Sequence, residues 1–180
     1  MIYFKVGRGF LVILCIEPLA GKEIYTEPDP DRPGYYVNFH VFAANIYECR
    51  IFRTDPTWAI WAQREAHENR LEGQRSVRDE YVLAAAQWIL WYGQSFFKQV
   101  LFSGEVSLAG LRSWSSGPLY DGTKFLSLHR WHFWRDQYKA VASGEKEDEK
   151  GFGQECKIVA AETAELTDSL EKNMTFGQSD

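Results

Sequence analysis

Between Tyr81 and Tyr92 the chain reads YVLAAAQWILWY, and Gln87 is the one side chain in that run with a strongly polar end. A helix with no polar face has no side to turn to water, so other elements must surround it. The run is also shorter than the roughly 20 apolar residues that a membrane-spanning helix needs. It predicts the central helix of a bundle, running from about Val77 to Phe102. The expected fold class is all-α: a single-domain bundle of about five helices around this central apolar helix, with an irregular N-terminal segment.

The rest of the chain supplies material to wrap such a rod. Of 180 residues, 45% are hydrophobic, including 7 Trp, 9 Tyr and 12 Phe, which excludes a disordered tail or a collagen-like fibre. The net charge of −5 is concentrated at the end, since Glu145 to Asp180 hold ten acids against four bases and the remainder is close to neutral. A body without basic excess lacks the electrostatic footprint of a nucleic-acid binder, so neither nucleic acid nor membrane is an expected partner. Cys15, Cys49 and Cys156 are far apart and odd in number, which reads as reduced thiols in a cytoplasmic chain.

Three segments follow from the punctuation. Residues 1–34 form an irregular or strand-like start. In it, the run Phe10–Ile16 follows Lys5 and Arg8 as a secretion signal would, yet it is short and meets Glu17-Pro18 where small residues belong. A buried strand or helix edge is the favoured reading there, with a signal segment and a start foreign to the fold as alternatives. The three prolines and the glycine of Lys22–Gly34 mark an extended or turn-rich connector. Residues 35–143 form the helical core domain. Helix one spans Tyr35–Phe52; Asp55-Pro56 caps a second helix reaching about Leu71, with Trp58, Trp61, Ala62 and Glu65 on the face toward the core. Ser76-x-x-Asp79 looks like the capping box of the central helix, and Ser127 caps a fourth over Leu128–Ala142. Residues 144–180 comprise a charged joint and an amphipathic helix from about Gln154 to Met174.

Candidate chemistry is sparse. Neither Gly-x-Ser-x-Gly nor a phosphate-cradling glycine loop occurs, and Gly7-x-Gly9 stands alone. His129 and His132 could share a metal, with His40 or Glu48 as a further ligand, but recognisable zinc spacing is missing, so no metal and no cofactor are expected. A carboxylate on the aromatic face of helix two needs a partner, and Arg130 or Arg50 would suit Glu65. Asn38 and Gln87, isolated among apolar residues, likewise need hydrogen-bond partners. Bridging between helices is one reading of these groups. The other is a polar spot where Asn38, Glu65, Gln87 and Arg130 converge beside Trp131, under a long loop carrying Trp114 and Tyr120.

The segments YYVNFHVFAANIYECRIF, DPTWAIWAQREAHE, YVLAAAQWILWYGQ and GPLYDGTKFLSLHRWHFWRDQYKAV, in this order, resemble a family of filamentous-fungal proteins known as domain of unknown function 3632. The resemblance runs from about Tyr35 to the final helix. It implies an all-helical intracellular protein and brings no activity with it, while giving weight to Asn38, Arg64, Glu65, Gln87, Trp88, Arg130 and Trp131 as a set. The expected function is a non-catalytic protein-interaction module whose partner is another protein or a second copy of the chain. The alternative is a cofactor-free small-molecule binder or enzyme with Glu65 as acid or base. Whether the chain is an enzyme stays open at this level.

Overall fold

The predicted rod exists: a helix of 27 residues, Arg75–Leu101, runs through the middle of the computed structural model. The structure describes residues 2–6, 9–13, 27–51, 56–102, 112–123, 125–145 and 151–174. Within them, α1 spans Tyr35–Glu48, α2 Thr57–Gln63 with a π-helical turn Arg64–Glu68 continuing it, α3 Arg75–Leu101, α4 Leu128–Ser143 and α5 Gln154–Met174. Ahead of them, β1 (Ile2–Val6) pairs antiparallel with β2 (Gly9–Ile13), Ile2 opposite Ile13 and Val6 opposite Gly9. The helices pack against one another as a single all-α bundle: α1, α2 and α5 lie on α3, and α4 lies on α5.

The core is aromatic because the rod presents rings at helical spacing. Trp88, Tyr92, Phe96 and Phe97 are buried, and Phe96 and Phe97 meet Trp131 of α4 at ring-centroid separations of 5.7 and 4.9 Å. Each such ring removes about 150–250 Å² from water. Against α5 the packing uses small groups instead: Ala160, Thr163, Ala164 and Thr167 are buried, and a Cβ on Gly93 would lie 3.0 Å from Leu170 Cδ1. Thr163 and Thr167 return their hydroxyls to carbonyls one turn back, at 2.7 Å each, so neither hydroxyl is stranded.

Several local expectations change. The rod is not wrapped on every side. Gln87 sits on a stripe with exposed Trp91, Gln94 and Lys98; its amide donates to Leu83 O at 3.1 Å and its oxygen accepts from Trp91 Nε1 at 3.0 Å. An amide that closes bonds within its own helix needs no buried mate, so Gln87 is a surface residue. Ser76-x-x-Asp79 is not a capping box either, because α3 begins one residue before Ser76, with Gln74 as its N-cap. Both Asp79 oxygens instead accept from Gly153 N, at 3.1 Å, ahead of α5. The carboxylate thus caps a different helix, where the positive end of the macrodipole favours it. Asp55 lies outside the described residues, and Pro56 stands just before α2, its carbonyl accepting from Ile60 N at 2.9 Å. Ser127 caps α4 as expected, Oγ accepting from Arg130 N at 3.2 Å.

At the α4–α5 seam, Asp168 meets Lys139 Nζ at 2.8 Å and Arg135 Nη1 at 3.2 Å, and Glu171 meets His132 Nε2 at 2.8 Å. These side chains are partly in water, where ion pairs are screened and pay for their ordering. Asp168→Ala is therefore expected to lower stability by less than about 1 kcal/mol, read as a urea midpoint, with the difference shrinking in 1 M salt.

A buried ion pair and the candidate site

The sequence placed a carboxylate opposite Arg130, and the structure does so with a different residue. Helix α2 ends in a π turn, in which Asn69 N donates to Arg64 O at 3.0 Å, one residue later than in an α-helix. On regular α-helical spacing Glu68 would continue the outward stripe of Trp58, Trp61 and Glu65. The wider turn rotates it inward instead.

Glu68 and Arg130 are both wholly buried and meet as a fork, Nε to Oε1 at 2.6 Å and Nη2 to Oε2 at 2.9 Å. Trp134 Nε1 donates to Oε1 at 2.8 Å, and Gly117 N to Oε2 at 2.8 Å. Four donors fill the acceptor capacity of the carboxylate. The remaining guanidinium edge donates to Trp114 O at 2.7 Å and Ser115 O at 3.4 Å. Leu119 N reaches the main-chain oxygen of Glu68 at 2.9 Å. Only glycine fits at 117, where a Cβ would come within 2.5 Å of that same oxygen and 2.6 Å of Asn69 Oδ1. The segment from Arg112 to Tyr120 is thereby bolted to α2 and α4.

A second polar relay lies one turn earlier. Buried Gln63 donates to Ala85 O of the rod at 2.9 Å and accepts from Tyr138 Oη of α4 at 3.0 Å. Burial holds the Tyr138 hydroxyl far above the ordinary tyrosine range, so it stays a donor. The His67 ring stands edge-on to Tyr138 at 4.3 Å. On the far side of the rod, Trp88 Nε1 donates to His40 Nδ1 at 2.8 Å.

The residues singled out from the sequence do not converge on one spot. Arg130 and Trp114 come together at the ion pair. Trp114 is buried, its indole donating to Thr57 Oγ1 at 2.9 Å. Glu65 flanks the site without entering it; its side chain is 36% exposed and is held by Arg64 at 3.2 Å and by Asn69 Nδ2 at 2.7 Å. Arg130 is thus the partner of Glu68, not of Glu65. Asn38 is exposed on α1, and Gln87 lies on the open stripe of α3. Trp131 is buried against Phe96 and Phe97, with no hydrogen bond to its indole nitrogen among the described residues. His129 and His132 part ways, the first to Tyr120 Oη at 2.8 Å and the second to Glu171. Among the described residues no three metal-ligating side chains gather. Sequence reasoning missed Gln63, His67 and Glu68. Spacing carried no signal for Glu68, because regular helical counting aligns it with Trp58, Trp61 and Glu65 on the face that turns outward.

The outward face of α2 also reverses an expectation. Ala59, Ile60, Ala62 and Gln63 face the core, whereas Trp58 and Trp61 are 37% and 41% exposed. Trp58 leans on Phe39 of α1 at 5.5 Å, and Trp61 Nε1 donates to Ser113 O at 2.7 Å.

Fold and site together define an all-α bundle in which buried Glu68, Arg130 and Gln63 are joined to partner side chains and to main-chain groups. This chain belongs to the family described as protein of unknown function, DUF3632, whose model matches residues 17–138. The match takes in α1, α2, α3 and the ion pair, and ends within α4 at Tyr138. No curated protein and no solved structure matches the chain. No helix among the described residues is long and apolar enough to cross a membrane.

Proposed function

We propose that the chain is a non-catalytic, cytoplasmic protein-interaction module. The observation that carries this reading is the outward face of α2, where two tryptophans three residues apart are left more than a third exposed while smaller residues of the same helix fill the core. Indoles at a surface carry a large apolar area with a polar handle, the combination that dominates binding hot spots. The ion pair supports the same reading from inside, since groups wholly buried and fully bonded to each other are unsuited to exchanging protons with a ligand.

The alternative, a cofactor-free small-molecule binder or enzyme, draws less support. It needs Asn38, Glu65, Gln87 and Arg130 around one cavity, and they occupy an outer helix face, a rim, an open stripe and the interior.

The double variant Trp58→Ala/Trp61→Ala tests the reading. Cross-linking and affinity capture from cells are expected to yield a protein partner, or a second copy of the chain, with the wild type, and at least tenfold less with the variant at unchanged helical circular dichroism. A wild type that stays monomeric and captures nothing, or a variant that captures as much, would end it.

A further inference from the structure

One face of the rod lies open between two neighbours. Helix α1 covers the flank of Trp88, which meets His40 and Tyr47, and α5 covers the opposite flank, where Leu170 closes on Gly93. Between them Leu83, Gln87, Leu90, Trp91, Gln94 and Lys98 all reach water, Trp91 being 51% exposed. Steps of four, three and four separate Leu83, Gln87, Leu90 and Gln94. That rhythm makes a seam along which two helices pack side by side at a shallow angle.

The seam reads alike in both directions about a point between Leu90 and Trp91. Reversal exchanges Leu90 with Trp91, Gln87 with Gln94, and Leu83 with Lys98. An antiparallel copy of the same helix therefore sets apolar groups on apolar groups at the centre and an amide on an amide to either side, the self-complementarity that a twofold axis demands. The amides have capacity for it. Gln87 spends one N–H on Leu83 O and one lone pair on Trp91 Nε1, which leaves one of each for Gln94 of the other copy. The same bond holds the Trp91 ring in one pose, so little freedom is lost when the ring is covered.

Charge selects the same orientation. From Tyr81 to Leu101 the sole charged side chain is Lys98. A parallel copy would bring the two lysines together, whereas an antiparallel copy moves them about 22 Å apart along the rod and lays each lysine stem on a Leu83. Helix α5 runs beside α3 in the same direction, with Gly153 at Asp79 and Leu170 at Gly93. Asp168 and Glu171 turn toward α4, so helical spacing puts exposed Glu155 and Glu162 on the side away from α4, level with the first turns of the seam. There they face the incoming Lys98. Three helices abreast, spaced by about 8–10 Å over about 22 Å of rod, give a face of about 500 Å² per copy, the size of a weak and transient interface.

We propose that the open face of α3 is a self-association surface, on which a second copy of the chain packs antiparallel about a twofold axis between Leu90 and Trp91, with Lys98 of each copy beside Glu155 and Glu162 of the other. This surface is separate from the outward face of α2, which then answers for captured proteins other than the chain itself.

Sedimentation equilibrium of the purified chain tests it. The wild type is expected to show a monomer–dimer equilibrium in the micromolar range. Trp91→Ala, which removes a ring on each side of the axis, and Lys98→Glu are each expected to weaken the dimer at least tenfold at an unchanged melting temperature. Adding Glu155→Lys/Glu162→Lys to Lys98→Glu is expected to restore most of that loss. Cysteines read the orientation: Gln87→Cys mixed with Gln94→Cys is expected to form a disulfide between positions 87 and 94, mapped by peptide mass, while neither protein links to itself through the new cysteine. The Trp58→Ala/Trp61→Ala protein is expected to dimerise as the wild type does. A wild type that stays monomeric at its highest soluble concentration, a dimer indifferent to Trp91→Ala and Lys98→Glu, or a disulfide joining 87 to 87 would overturn the proposal. So would a dimer lost only in the Trp58/Trp61 variant, which would move self-pairing to α2. None of these outcomes bears on capture of other proteins by α2.

Discussion

Arg130→Ala is expected to destabilise the protein by about 3–5 kcal/mol, the range seen when one member of a buried ion pair is removed and its partner stays behind uncompensated. Glu68, with no contact to water, would keep only the donors from Trp134 and Gly117. Such a loss is a large share of the 5–15 kcal/mol that typical domains possess, so the urea midpoint should fall by half or the variant should fail to accumulate. Lysine is no substitute, because a point charge cannot make the fork to both carboxylate oxygens while also holding the carbonyls of Trp114 and Ser115. Glu68→Gln should cost nearly as much, since its amide nitrogen, itself a donor, would face two of the four donors. The double variant Glu68→Leu/Arg130→Met separates two accounts. If the pair mattered only as two charges, apolar replacement would restore stability or exceed it. Because Gly117 N, Trp134 Nε1 and Trp114 O would each lose a buried partner, the expectation is partial recovery, with at least about 2 kcal/mol still missing. Recovery to the wild-type midpoint would show that the segment around Gly117 does not depend on this pair.

How far the sequence anticipated this arrangement depends on whether the relevant force is local. The run Tyr81–Tyr92 betrayed its position because burial of most of a helix surface leaves a compositional mark. Ser127 and the ends of α5 were equally plain, their capping and amphipathic signals lying within a turn or two of the boundaries they set. Glu68 was hidden because a π turn changes the angular spacing of side chains without any composition of its own, so 3.6-residue counting put Glu65 inside and left Glu68 unremarked. Asp79 illustrates a second limit. Three residues after a serine it fits a capping box, yet its carboxylate serves Gly153 in another helix, and no spacing rule distinguishes the two uses. Trp58 and Trp61 show a third: hydrophobicity predicts burial only on average, and α2 satisfies the rod with alanine and isoleucine, leaving its largest side chains outside. The long loop carrying Trp114 and Tyr120 was expected to cover a polar spot, whereas its carbonyls at 113, 114 and 115 are all claimed by α2 and α4.

Acid should weaken this fold through His40 before the carboxylates at the surface contribute much. Burial pushes the imidazole down to about 4 from an ordinary 6.5. The geometry gives a direct reason for the same direction. An indole nitrogen can only donate, so Nδ1, which accepts from Trp88 at 2.8 Å, must carry a lone pair, and the proton of the neutral ring sits on Nε2. Protonation would set one N–H against another between α1 and the rod. In the unfolded chain the same histidine takes up its proton as pH falls through 6.5, and in the folded chain only near 4. Between those values the unfolded state binds more protons, so stability declines as pH is lowered across that window and is fully present above it. At 1.36 kcal/mol for each pH unit of difference, the loss approaches about 3 kcal/mol by pH 4. His40→Gln isolates this contribution, because its amide oxygen can accept from Trp88 and does not titrate. Urea unfolding at pH 7.5 and 4.5 should show the wild type losing at least about 2 kcal/mol more than the variant, carboxylate effects being common to both. Equal losses would mean that His40 is protonated in the native bundle and that Trp88 has another acceptor.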